Sequence, residues 1–181
     1  MKIIHLVLAA ICLIFSLSTE AATAAKPAEW PAYMDFTLAE KDCPASVKNL
    51  PTAGKCLSWD ATTKAVKVRW PDDEGCAAAA VAKNLPVGTV IDRFGLETGG
   101  FFAPKGASFA SRAMPYVCRE NNYTVYKVIK ELPVSECKAA AWFALAGGAL
   151  QYKTARTAAE LVTGGFIARE GAVTKPSLLC Q

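Results

Sequence analysis

Histidine is almost missing from this sequence. The 181 residues contain one, His5, and it lies in a segment expected to be removed. Met1-Lys2 is a short basic start, residues 6–17 (LVLAAICLIFSL) are an apolar run, and Ala22-Thr23-Ala24 has the small-x-small spacing of a cleavage site. Together they predict a secretory leader over residues 1–24 and an exported, soluble chain after it. The run is too short to span a membrane, and no later stretch approaches the roughly 18 apolar residues a span needs. Beyond Ala24 there is then no histidine at all. That excludes Ser-His and Cys-His nucleophile pairs, histidine-ligated metals and histidine acid–base catalysis. It also argues against a secreted ribonuclease, a class that usually depends on histidine.

Strong charge is missing too. The net charge is +4, and losing Lys2 and Glu20 with the leader leaves it unchanged. A mild, dispersed positive balance favours an anionic ligand weakly and does not describe a nucleic-acid binder. No CxxC pair is present, so a structural zinc site is not expected. The one acidic run, Asp72-Asp73-Glu74, lacks EF-hand spacing and reads as a solvated turn.

Cysteine is well represented. Of the seven cysteines, Cys12 falls in the leader, leaving Cys43, Cys56, Cys76, Cys118, Cys137 and Cys180. An even six in an exported chain predicts three disulfides, for which fifteen pairings exist. The expected set is Cys118–Cys137, bracketing a strand-like segment, then Cys43–Cys56 as a local loop, then Cys76–Cys180.

Regular alternation is confined to short segments. Residues 65–70 and 123–129 alternate and read as strands, and residues 89–94, after the Leu85-Pro86-Val87-Gly88 turn, read as a strand that delivers Arg93 at its end. Residues 25–60 are proline-punctuated and loop-like, with Trp30, Tyr33, Phe36 and Trp59 as anchors. Ala77–Lys83 is expected to form a short helix, and Thr157–Val162 another that Gly164-Gly165 stops. Gly147-Gly148 marks a tight loop before a strand carrying Gln151-Tyr152. Asn122-Tyr123-Thr124 is an N-glycosylation sequon in a eukaryotic host. The pattern predicts an α+β protein, a small antiparallel-sheet domain with few short helices, stapled by disulfides.

Chemistry concentrates in residues 91–115, IDRFGLETGGFFAPKGASFASRAMP. Arg93 and Arg112 flank Gly95, Gly99, Gly100 and Gly106, interleaved with Phe94, Phe101, Phe102 and Phe109. Glycines permit tight turns and close approach of a ligand, arginine forks suit a pyrophosphate or carboxylate, and aromatic faces suit a flat ring. The stretch reads as a pocket for a planar anion such as a dinucleotide. The competing reading is a glycine-rich hairpin with core phenylalanines and solvated arginines.

The order of short motifs adds a resemblance. Trp70-Pro71 then Gly75, Leu85-Pro86-x-Gly88, Asp92-Arg93-Phe94-Gly95, Gly99-x-Phe101, Pro104-x-Gly106, Arg112-Ala113-x-Pro115, Tyr123-x-x-Tyr126-x-Val128, Trp142-Phe143, Gly147-Gly148-x-x-Gln151-Tyr152 and Leu161-x-x-Gly164-x-x-Ile167 follow in sequence. Over residues 70–168 this resembles the tuberculosis necrotizing toxin-like family, in particular its secreted fungal NAD glycohydrolases. The resemblance implies a family domain at 70–181, preceded by an N-terminal extension at 25–69 packed on its core. It implies hydrolysis of the nicotinamide–ribose bond of NAD or NADP, with no cofactor, metal, nucleic acid or membrane involved. By the same resemblance Arg93 and Gln151 are expected catalytic residues, Arg93 on the pyrophosphate and ribose side and Gln151 on the ribose or attacking water; Glu97, from its place in the loop between Phe94 and Phe101, is the carboxylate expected to face the cationic sugar. Phe94, Phe101, Arg112 and Tyr152 are the expected substrate-binding residues. The loop before the glutamine departs from the family: AAWFALAGGALQY stands where the family reads close to PWFGQPGGGTQY. That apolar loop keeps a second class open, a catalytically degenerate secreted binding effector.

Overall fold

In the computed structural model, residues 25–39, 41–45, 52–175 and 178–180 are described; the expected leader lies outside the described residues. The strands in chain order are β1 (Asp42–Cys43), β2 (Gly54–Lys55), β3 (Leu57–Asp60), β4 (Ala65–Val68), β5 (Val81–Leu85), β6 (Val90–Phe94), β7 (Phe101–Pro104), β8 (Tyr123–Val128), β9 (Leu132–Lys138), β10 (Leu150–Lys153) and β11 (Ile167–Arg169), with one α-helix among the described residues, α1 (Ala158–Thr163). Seven strands form one sheet in the order β11-β8-β6-β7-β10-β9-β5, while β1 with β2 and β3 with β4 make separate ribbons. Every neighbouring pair of the large sheet is antiparallel. The architecture is therefore mainly antiparallel sheet with few short helices, and the α+β label fits only loosely because the sheet dominates. Among the described residues no helix is long and apolar enough to cross a membrane.

The strands form where alternation meets burial. In β8, Thr124, Tyr126 and Val128 point inward, and Tyr126 and Val128 are fully buried. They join Ile91, Phe102, Tyr152, Leu161 and Ile167 in the main core. Each such apolar side chain stabilises the fold by about 1.5–3 kcal/mol on burial. Helix α1 covers this core with Ala158 and Leu161, and starts at a capping box in which Thr157 and Glu160 satisfy each other's backbone amides.

Three local expectations are corrected. Ala77–Lys83 is not a helix; its second half is strand β5, paired along β9 from Val81↔Glu136 to Leu85↔Leu132. The alanines favour a helix locally, but cross-strand pairing overrides that preference. The stretch 25–60 is not all loop, since Leu57–Asp60 pairs residue by residue with Ala65–Val68. Of the expected anchors, Trp30 is buried and Phe36 and Trp59 pack against the same cluster, whereas Tyr33 is exposed and only tilts against the Tyr116 ring. That second cluster joins Trp30, Met34, Leu38 and Leu57 to Trp142 and Phe143.

The disulfides are Cys43–Cys56, Cys76–Cys137 and Cys118–Cys180. The first matches the expectation; the other two replace Cys118–Cys137 and Cys76–Cys180. The reason is the path of β9. Its pairing with β5 carries Cys137 to the chain that enters β5, where Cys76 already bridges Ala139, with Cα atoms 5.6 Å apart. Cys118 sits in the 3-10 turn before β8 and meets Cys180 from the C-terminal turn.

Candidate active site

Strand β6 lies between β7 and β8 and carries Asp92, Arg93 and Phe94 side by side. Asp92 is fully buried. Its carboxylate accepts from Arg112 Nη2 at 2.5 Å, from the Tyr123 hydroxyl at 2.7 Å and from the Gly106 amide at 2.8 Å. Desolvation, and then the hydrogen bond to Asp92, push the Tyr123 phenol up, so it remains a donor. Arg112 is further tied to the Ala107 carbonyl and lies over the Phe94 ring, 4.7 Å from its centroid. Phe94 in turn packs edge-on against Phe109. One buried carboxylate thus fixes the whole far end of the 91–115 stretch, with the arginine and the phenylalanine held as a unit.

Arg93 is held differently. It is 7% exposed and donates to the carbonyls of Phe101 at 3.1 Å and Leu96 at 2.5 Å. Among the described residues it has no ion pair, and its buried Nε has no hydrogen-bond partner. Burial lowers its pKa, partly offset by Tyr126 and Glu97 nearby. Gly99 makes this placement possible: a Cβ there would lie 2.6 Å from Nη2 of Arg93.

Strand β10 brings Gln151 to the opposite side. Its Nε2 donates to the Glu74 carbonyl at 3.0 Å and lies 3.7 Å from Cys137 Sγ. The turn bearing Glu74 closes between two anchors, the Cys76–Cys137 bridge and the Ala140 amide, which donates to the Gly75 carbonyl at 2.7 Å. Trp142 donates from its indole to the Arg69 carbonyl at 2.7 Å, and Trp70 meets Phe143 edge-on at 5.6 Å. These groups enclose a cleft of about 440 Å³ with Arg93, Arg112, Phe94, Phe101 and Gln151 in its lining. That is a volume and a mostly apolar lining suited to a small organic ligand, with a few polar groups to orient it. Phe101 is partly exposed, at 41%.

The cleft thus gathers Arg93, Arg112, Phe94, Phe101 and Gln151. It does not gather Glu97 or Tyr152. The Leu96–Gly99 turn carries Glu97 to a second hollow with Asn122, Thr124 and Arg169, where Arg169 Nε donates to it at 2.6 Å and the Tyr126 hydroxyl at 2.8 Å. Tyr152 follows Gln151 on a strand, so it faces the other way and is buried in the main core. Sequence reasoning missed the opposite wall: Trp70, Pro71, Glu74, Ala139, Ala140 and Trp142 all line the cleft. The Trp70-Pro71 pair was the available signal. Nothing in the acidic run marked Glu74 as a lining residue.

The Arg169 hydrogen bond, with help from Tyr126, lowers the Glu97 pKa below its ordinary 4.5, while desolvation and then Glu97 push Tyr126 up to about 12. A carboxyl with a depressed folded-state pKa contributes stability that is complete above its unfolded pKa and fades as pH falls through the folded one. Glu97→Gln should therefore melt below the wild type near neutral pH, with the two melting temperatures converging as pH drops well under 4.5. Melting curves that stay parallel down to acid pH would show that Glu97 carries no such linkage.

Residues 84–169 match the family model described as tuberculosis necrotizing toxin. A conidial surface nicotinamide adenine dinucleotide glycohydrolase, nadA, of Aspergillus fumigatus is 37% identical over 93 residues, covering 48% of this chain and 40% of that protein. The chain thus spans about two fifths of that relative's length. Among solved structures, Rhs1-CT in complex with its cognate immunity protein RhsI1 overlaps at a TM-score of 0.43 and 14% identity, over 57% of this chain and 86% of that one. The similarity to the tuberculosis necrotizing toxin family thus lies in residues 84–169, just under half of the chain, and the fungal relative adds a second, partial similarity.

Proposed function

We propose that the protein is a secreted NAD glycohydrolase, cleaving the nicotinamide–ribose bond of NAD or NADP to release nicotinamide. The observation that carries the reading is Arg93: a buried guanidinium with no ion pair among the described residues and an unpartnered Nε, in an aromatic-lined cleft. Such a cation is destabilised until a ligand brings it negative charge, and a pyrophosphate beside a flat ring fits both features. The fungal relative's activity, as its name states it, supports the same choice.

Arg93 and Arg112 hold the pyrophosphate side. Phe94 and the partly exposed Phe101 receive the nicotinamide or ribose. The C1′–N bond breaks with its electron pair passing to the pyridinium nitrogen, so nicotinamide departs neutral and needs no proton donor. Positive charge then sits on the ribose C1′–O4′ unit. Gln151 orients the ribose or the water whose oxygen joins C1′, and that water's proton is lost to solvent. Nothing in this sequence of events calls for histidine. Glu97 stays outside the cleft, bonded to Arg169 and Tyr126, and the Tyr152 side chain packs into the core from the face of β10 opposite Gln151.

The test is release of nicotinamide from NAD by the purified chain. Gln151 is assigned to the bond-breaking step alone, so Gln151→Ala should lower kcat and kcat/KM together and leave KM nearly unchanged. A folded wild type that releases no nicotinamide would overturn the reading in favour of a disulfide-stapled binding effector, for which the apolar Ala149 and Leu150 in the cleft lining are the supporting feature.

A further inference from the structure

Glu74 is the one carboxylate in the lining of the cleft among the described residues. It does not reach that place by default. Asp73, Glu74 and Gly75 are three successive residues at positive φ, with Glu74 at φ 59° and ψ 27°. A left-handed conformation is disfavoured for a residue with a Cβ, and it persists only where the surroundings enforce it. Here they do: the Cys76–Cys137 bridge and the Ala140–Gly75 hydrogen bond clamp the turn at its exit.

The enforced turn does two things with one residue. The Glu74 carbonyl accepts the Gln151 amide at 3.0 Å. The Glu74 carboxylate, half exposed, is set against Lys153, the residue two beyond Gln151 on β10. Lys153 also lies 5.7 Å from the centre of the Phe101 ring. The carboxylate is therefore steered to the cleft edge between the side chain proposed to act on the sugar and the ring proposed to receive the base.

We infer that Glu74 is a catalytic residue of this chain: its carboxylate faces the ribose and stabilises the positive charge that develops on C1′–O4′ as nicotinamide leaves. The inference rests on the NAD glycohydrolase reading above. It moves the role of facing carboxylate from Glu97, held at the second hollow, to Glu74 in the cleft itself. No bond to Glu74 forms. The electron pair of the C1′–N bond leaves on nicotinamide, the carboxylate meets the resulting cation electrostatically, and water completes the hydrolysis with loss of one proton to solvent. A fixed negative charge aimed at a developing positive one acts on the transition state and little on the ground state. Nicotinamide-bearing ribose is itself attached to a pyridinium cation, so some attraction exists before cleavage. The larger share comes as charge moves onto the sugar, on Glu74's side of the bond.

Three variants assayed on NAD test this. Glu74→Gln removes the charge and keeps the backbone contacts; it should lower kcat roughly tenfold or more with KM changed by less than about threefold. Glu74→Gly removes the side chain and relaxes a positive-φ position; it should melt at or above the wild-type temperature and still show the same kcat loss, which a purely structural role would not produce. Lys153→Met removes the cation set against Glu74 and leaves the carboxylate's negative charge in the chain, so its kcat loss should be clearly smaller than that of Glu74→Gln. If Glu74→Gln or a folded Glu74→Gly turns over at the wild-type rate, or if Lys153→Met loses as much as they do, Glu74 is not the facing carboxylate, and the glycohydrolase reading stands without it. If the wild type itself releases no nicotinamide, both fall together.

Discussion

Arg93→Ala is expected to raise KM for NAD by roughly ten- to a hundredfold and to lower kcat as well, the loss of one charge-assisted hydrogen bond worth about 1.5–3 kcal/mol. The pyrophosphate keeps its charge throughout the reaction, so the guanidinium binds ground state and transition state alike, and a KM effect is the signature of that kind of contact. Arg93 also satisfies the carbonyls of Phe101 and Leu96, so part of the loss in the alanine variant would come from a loosened turn. Gly99→Ala separates the two contributions. A methyl group there meets the guanidinium at 2.6 Å and must displace it while the charge remains in the chain. The expected result is a smaller KM rise in the same direction. Steady-state kinetics on both variants, after thermal melts establish folding, give the comparison; wild-type KM in Arg93→Ala would remove the arginine from the substrate contacts.

The second large effect belongs to Cys76–Cys137. Replacing both with serine releases a loop of sequence separation 61, for which chain-entropy reasoning gives roughly 4 kcal/mol of lost stability. The corresponding replacement at Cys43–Cys56, separation 13, should cost about 3 kcal/mol on the same basis. The difference in kcat should be larger than this difference in stability. Only Cys76–Cys137 borders Gln151, whose Nε2 is 3.7 Å from Cys137 Sγ and bonded to the adjoining turn. At a temperature where both double variants remain folded, the Cys76/Cys137 variant should have lost most of its nicotinamide release. Full turnover in it would mean that Gln151 holds its orientation without the turn.

What could be read from the chain without its structure follows from which forces are local. Strand β8 announces itself because its inward and outward residues alternate and one face is buried; β6, buried on both faces from Ile91 to Phe94, has no such period and is legible from the Leu85-Pro86-Val87-Gly88 turn signal that precedes it. Strand β5 does not, because four of its five residues are exposed and an edge strand with little burial has no period to read; its alanine-rich approach then suggested a helix. The disulfides beyond the local Cys43–Cys56 depend on which strand lies beside which, and that is set by pairing across long separations. The arginines and phenylalanines of 91–115 were visible as a group since one stretch carries them. Glu97 belonged to that group by position alone, and the Leu96–Gly99 turn takes it to the far side. Glu74 was hidden for the opposite reason: three acids in a row look like a hydrated turn, and only the sign of φ, a backbone property, tells where the third one goes.

The family match begins at residue 84, yet Trp70, Pro71, Glu74 and Gly75 line the same cleft as Arg93, and Trp30, Met34 and Leu57 back Trp142 and Phe143 from behind. The cleft is therefore a composite: most of its lining comes from the matched stretch, and residues 70–75 supply the edge that meets Gln151. Excising the matched stretch would yield a cleft open on the side of Trp70 and Glu74, and joining it to another preceding segment would yield a cleft with a different edge. On the proposed reading, substrate preference can then diverge among chains that share this stretch through exchange of the segment in front of it, with Arg93, Phe94 and Gln151 left in place.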